Sequence, residues 1–192
     1  MMNILGWNVT GINQPGQSES IHQLVRMFNP VMVGLVDTKH SRLTEEKVKG
    51  WWKEGDKVGW IDVPETRSNG EKSEGMVFAW NERYFTKSRS LTNKRWILVE
   101  GKLLQKRIDV GFLLVFEPSC SQEKANLRKD LTNLVKTISH PFMMMGKFKD
   151  GSPPDEQNVD FRVSADPKFS ERFKFSTMSG LETGLSDHCP NN

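Results

Sequence analysis

MMMGKFKDG, residues 143–151, follows Pro141-Phe142 and opens with three methionines in a row. A short apolar run bounded by turn-forming residues is the pattern of a strand buried on both faces. The strand is expected to stop at Gly146. The residues just past such a strand are where α/β proteins present ligand-contacting groups. Here those residues are Lys147 and Lys149, two ammonium groups at a place suited to chemistry.

The neighbouring segments supply the rest of a layered α/β pattern. Upstream, SCSQEKANLRKDLTNLVKTIS places Leu127, Leu131, Leu134, Val135 and Ile138 on one helical stripe, with Ser119 and Gln122 spaced as a capping box. Before it, GMVFAW (75–80), RWILVEGKLL (95–104) and VGFLLVF (110–116) read as strands. Further back, VMVGLV (31–36) is a second continuous apolar run of strand length. Ile21, Leu24, Val25 and Phe28 recur at helical spacing, with Ser18 or Ser20 as cap and Asn29-Pro30 as stop. Asn3 to Val9 reads as the opening strand, and Leu43 to Trp52 as a weaker helix. Glu65 to Glu74 reads as a polar loop. Downstream, 151–158 is turn-like and VDFRV (159–163) is a short strand, followed by a tail of mixed character. Helices alternate with strands, several of them consecutive, which predicts two packed sheets with helices outside.

The 192 residues predict one domain with a sizeable core, and 36% hydrophobic against 27% charged residues is a globular composition. The net charge of +3 is a weak bias toward polyanions. Eight Lys or Arg fall between Arg83 and Arg107, a basic stretch able to meet nucleic-acid phosphates or simply to solvate two strands. Cys120 and Cys189 match no metal spacing and are expected to be reduced thiols. Neither a signal peptide nor a membrane-spanning run is recognisable, so an intracellular protein, of nucleus or cytoplasm, is expected.

Four strand ends are candidates for chemistry. Asn8 follows Trp7 at the end of the first strand. Asp37 ends VMVGLV and is a hard oxygen donor of the kind Mg²⁺ prefers, or equally a loop cap. Lys147 and Lys149 end the methionine strand. Asp187-His188, near the C-terminus, could supply a base or a transition-state stabiliser if a turn brings both to one pocket. His22, His40 and His140 share no ligand spacing and read as structural.

These strand ends together resemble a known pattern. MNILGWNVTGI, GLVDTK, LLVFEPS, PFMMMGKFKD, VDFRVS and LSDHCP resemble, in order, six motifs of the endonuclease/exonuclease/phosphatase superfamily. More narrowly, the chain resembles the endonuclease domain of plant non-LTR (LINE-type) retrotransposons. The resemblance implies a four-layered α/β sandwich and Mg²⁺-dependent cleavage of DNA phosphodiesters. It implies Asp37 as metal ligand, Asn8 as a phosphate-positioning group, and Asp187 with His188 at the scissile phosphate.

The departures are equally specific. Lys147 stands where the family has the Asp that orients the attacking water, and Lys149 where it has an Asn. Phe116 replaces a Tyr, and Ser119 an Asn. The segment near 150–159 is short and the chain ends soon after Ser-Asp-His, implying an internal deletion and an incomplete sandwich over residues 1–192. An ammonium at pH 7 cannot accept a proton, and it repels a divalent cation. The expectation is therefore a degenerate phosphodiesterase with little or no activity. The alternatives are a nucleic-acid binder using Lys147, Lys149, Arg95 and Arg107, a protein-interaction module docking at an open sheet edge, or a residual Mg²⁺-dependent endonuclease.

Overall fold

A computed structural model describes residues 2–66, 73–149, 159–173 and 175–178. Along the chain run β1 (Met2–Asn8), α1 (Gln17–Phe28), β2 (Met32–Val36), α2 (Glu45–Lys49), β3 (Val58–Thr66), β4 (Ser73–Asn81), β5 (Phe85–Asn93), β6 (Trp96–Leu103), β7 (Ile108–Phe116), α3 (Ser121–Val135), β8 (Phe142–Lys149), β9 (Val159–Ala165), α4 (Pro167–Arg172) and β10 (Phe175–Met178). One five-stranded sheet has the order β10-β1-β2-β4-β3, the other β5-β6-β7-β8-β9. Both are mixed: β10 and β2 run parallel to β1, and β8 runs parallel to β7, while the other pairings are antiparallel. Of the parallel pairs, β1–β2 is joined through α1 and β7–β8 through α3, as a crossover demands.

Three apolar clusters make four layers. Between the sheets, Phe78, Phe85, Phe112 and Met145 meet with Phe169 of α4. Outside the first sheet, Ile21 and Val25 of α1 and Val48 of α2 pack on Val33, Leu35 and Val77. Outside the second, Leu127 and Leu134 of α3 pack on Leu98, Leu113 and Val115. The two continuous apolar runs of the sequence are thus strands covered on both faces: every residue of β2 is buried. This is the expected α/β sandwich.

Several local expectations needed correction. The methionine strand does not stop at Gly146; β8 continues to Lys149 because β9 pairs with it from Met143 to Lys149. Gly146 lies so close to the Val115 backbone that an added Cβ would collide with it, so the glycine permits strand approach rather than ending the strand. The N-cap of α1 is Gly16, without a side-chain cap; Ser20 instead donates to the Gly16 carbonyl and Ser18 accepts from Trp51. The N-cap of α3 is Cys120, also without a side-chain cap, and Gln122 donates to Asn126. Helix α2 is shorter than Leu43 to Trp52 and is capped by Thr44. Residues Glu65, Thr66, Ser73 and Glu74 belong to paired strands, not to a loop; 67–72 lie outside the described residues, as do 150–158.

Strands β3 and β5, helix α4 and strand β10 had no clear signature. β3 and β5 are edge strands, so neither shows the apolar run of a covered strand. β3 carries Pro64, tolerated at an edge, and β5 is mostly exposed, with a bulge between Lys87 and Arg89. Charge and a bulge both discourage further pairing at such an edge.

Candidate functional site

The register sets the site. Asn8 of β1 lies opposite Val36 of β2, so Asn8 and Asp37 emerge at the same end of the first sheet. In the second sheet Phe116 of β7 lies opposite Lys147 of β8. The two ends face each other across the sandwich. Lys147 Nζ reaches to 3.8 Å from Asp37 Oδ2, and Lys39 Nζ lies 3.9 Å from Asp37 Oδ1. Asp37, Lys39, Glu74, Arg95, Phe116 and Lys147 line a cavity of about 500 Å³, closed on one side by Ser119, Cys120 and Glu123 at the start of α3.

The loop after β2 holds an uncommon conformation. Asp37 and Lys39 have positive φ, 58° and 49°. Such values cost about 1–3 kcal/mol each in a residue with a Cβ and persist where surroundings impose them. Here Thr38 N–H donates to Gly75 O, Lys39 N–H to Glu74 O, and the Asp37 and Thr38 carbonyls accept from Gly11 and Ile12. The loop is therefore pinned from β4 on one side and from the turn after β1 on the other.

Burial dominates the charge state of Asp37. It pushes the carboxyl above the ordinary aspartate value, and Glu74 nearby pushes the same way, while the Lys147 and Lys39 ammonium groups pull it down. Beside this pair sits a second one. Arg95 Nη2 is 2.6 Å from Glu123 Oε2, and its guanidinium lies 5.9 Å from the centre of the Phe116 ring. Lys147 Nζ is 5.3 Å from the centre of the same ring, so two cations lie near one aromatic ring.

The described residues do not fit a divalent cation. Mg²⁺ would need an Asp37 oxygen at about 2.0–2.1 Å, and both oxygens face ammonium groups. Repulsion between a dication and one ammonium at 4 Å is about 8 kcal/mol at an effective dielectric near 20. Millimolar affinity corresponds to only about 4 kcal/mol. Among the described residues no group of three His, Cys, Asp or Glu side chains could hold a metal.

No protein-family model matches the chain, and no curated protein matches it. Solved structures do. Humanized D. rerio TDP2 is similar with a TM-score of 0.54 at 11% identity, over 74% of this chain and 60% of that one. An endonuclease/exonuclease/phosphatase family protein from Bacteroides thetaiotaomicron gives 0.54 at 14%, over 79% and 65%. AP endonuclease LMAP from Leishmania major gives 0.52 at 13%, over 73% and 53%. The fold is the endonuclease/exonuclease/phosphatase fold. The chain spans less than two thirds of the length of each of these three structures.

Within that fold the sequence-derived residues are placed unequally. Asn8, Asp37 and Lys147 come to one end of the sandwich, and Asn8 Oδ1 is buried there without a hydrogen-bond partner among the described residues. Arg95 joins them, buried rather than on an open nucleic-acid face. Arg107 does not: it sits in the β6–β7 turn, at the opposite end from Phe116. Lys149 ends β8, opposite Val159 of β9. Asp187 and His188 lie outside the described residues. β10 runs parallel to β1, with Met178 opposite Leu5. Sequence reasoning missed Glu74, Lys39 and Glu123. Glu74 falls in the stretch that reads as a loop, and the β2–β4 pairing, with Val36 opposite Met76, brings it beside Asp37.

Proposed function

We propose that residues 1–192 form one domain related to Mg²⁺-dependent phosphodiesterases, of the retrotransposon DNA-endonuclease type, in which hydrolysis has been lost. The observation that carries this reading is the 3.8 Å contact between Lys147 Nζ and Asp37 Oδ2. On this reading a tethered cation stands where a metal-dependent relative would hold a free one. The same residue removes the carboxylate that would orient water, and an ammonium cannot serve as base at neutral pH. Phe116 offers a ring where a hydroxyl would otherwise help position phosphate.

Contact with DNA phosphates without cleavage is a second reading, favoured by Lys39, which is partly exposed at the cavity mouth, and by Lys147 within it. The basic stretch from Arg83 to Arg107 supports it less. Arg83, Arg89, Arg95 and Lys102 are tied to Asp56, Glu100, Glu123 and Asp109. Lys106 donates to the Arg172 carbonyl over the Phe173 ring.

Plasmid nicking in Mg²⁺ tests the main reading. The wild-type chain is expected to leave supercoiled DNA intact, and Lys147→Asp with Lys149→Asn to raise nicking above the wild-type level. Nicking by the wild type that disappears in His188→Ala would overturn it.

A further inference from the structure

We infer that Thr38, His40 and Asp62 form a hydrogen-bond chain, buried at Thr38 and His40 and reaching the half-buried Asp62, that positions Asp37 and Lys39 at the cavity. Thr38 Oγ1 is 2.6 Å from His40 Nδ1, and His40 Nε2 is 2.8 Å from Asp62 Oδ2. Thr38 and His40 are both fully buried. An ionised carboxylate only accepts, so His40 Nε2 carries the proton given to Asp62. With the ring neutral, Nδ1 accepts the Thr38 hydroxyl proton. The Thr38 hydroxyl and both ring nitrogens of His40, the buried polar atoms of the network, are thereby paired.

The chain lies directly behind the strained loop. Thr38 points inward, while its neighbours Asp37 and Lys39, both at positive φ, line the cavity. Gly75 makes room for this: a Cβ there would collide with Thr38 Oγ1 and come within 3.2 Å of His40 Nδ1. The His40 carbonyl also accepts from Glu65 N–H, so β3 holds the loop at both ends of the imidazole residue. Asp62, on β3 and away from the cavity lining, thus acts on Asp37 through His40 and Thr38. These three are positioning residues; none touches the cavity itself.

The inference rests on reading the cavity as the functional site, but its test needs no substrate. Absence of DNA binding would therefore count against that reading and leave this one standing. In ¹⁵N NMR, His40 of the wild type is expected to show the neutral Nε2-protonated tautomer. Thr38→Val, which removes only the hydroxyl from a similar shape, is expected to shift the Asp37 and Lys39 amide signals and the Lys147 side-chain signals. Thr38→Ser is expected to restore them, which a purely space-filling role would not predict. Asp62→Ala, remote from the cavity, is expected to move the same signals and serves where Thr38→Val fails to fold. Unchanged Asp37, Lys39 and Lys147 signals in a folded Thr38→Val or Asp62→Ala variant would overturn the proposal. So would an Nδ1-protonated His40.

Discussion

Lys147, on the fourth strand of one sheet, and Asp37, at the end of a strand in the other, meet at 3.8 Å across the mouth of the sandwich. The pair links the two sheets at the end of the sandwich that carries Asn8 and Phe116. Its partners are little exposed, so water screens it less than a surface pair.

The pair predicts how Asp37 titrates. Lys147 is the stronger of the two ammonium groups that lower its pKa. Lys147→Met is expected to push the Asp37 carboxyl higher still, since burial then meets only Lys39. Carboxyl ¹³C titration of wild type and variant checks this, with the variant midpoint at higher pH. An unchanged midpoint would mean the two side chains do not interact in solution.

Asp37 also carries a pH dependence of stability. Its folded-state pKa lies above the unfolded one, near 3.9, so the folded chain holds this proton more tightly. The contribution to stability is therefore present in acid and is lost as pH rises through the folded value. At pH 7 the buried carboxylate costs stability. Asp37→Asn is expected to melt higher than the wild type there, by up to about 1 kcal/mol or roughly 2–4 °C. The difference should shrink toward pH 4. Thermal denaturation across that range reads it directly.

The Arg95–Glu123 pair should respond asymmetrically. Arg95 is buried, whereas Glu123 is partly exposed. Glu123→Ala leaves a buried guanidinium short of a partner and is expected to cost about 1–3 kcal/mol. Arg95→Met keeps the packing on Phe116 and frees Glu123 to water, and is expected to be closer to neutral. Urea denaturation of the two variants would show the order.

Helix α4 predicts a large stability effect from a segment with no clear pattern. Phe169 is fully buried and stacks edge-on to Phe112 at 6.2 Å between the sheets. Phe169→Ala is expected to cost about 3–5 kcal/mol, the usual range for emptying a buried aromatic position. Loss of less than about 1 kcal/mol in urea denaturation would show that α4 is not part of the core.

What the sequence disclosed follows from how each element is covered. Strands β2 and β7 sit under helices on one side and against the other sheet on the other, so their apolar runs are unbroken and legible. Strands β3 and β5 lie at edges, where exposure erases the pattern, and only pairing reveals them. Helix α4 did leave a local sign: Asp166 caps it through Phe169 N–H, and Pro167 occupies its first turn. At six residues it is too short for a periodic stripe to announce it. In the site, Asp37 and Lys147 were readable as strand ends. Glu74, His40 and Asp62 were not, because their placement comes from strand register, that of β2 on β4 for Glu74, and from a loop conformation that no spacing encodes.

Mg²⁺ titration of the wild-type chain, followed at the Asp37 carboxyl carbon by NMR, tests the central claim most directly. With Lys147 in place the Asp37 signal is expected to stay unchanged through millimolar Mg²⁺. A saturable shift of that signal in the wild type, with Lys147 present, would contradict the account.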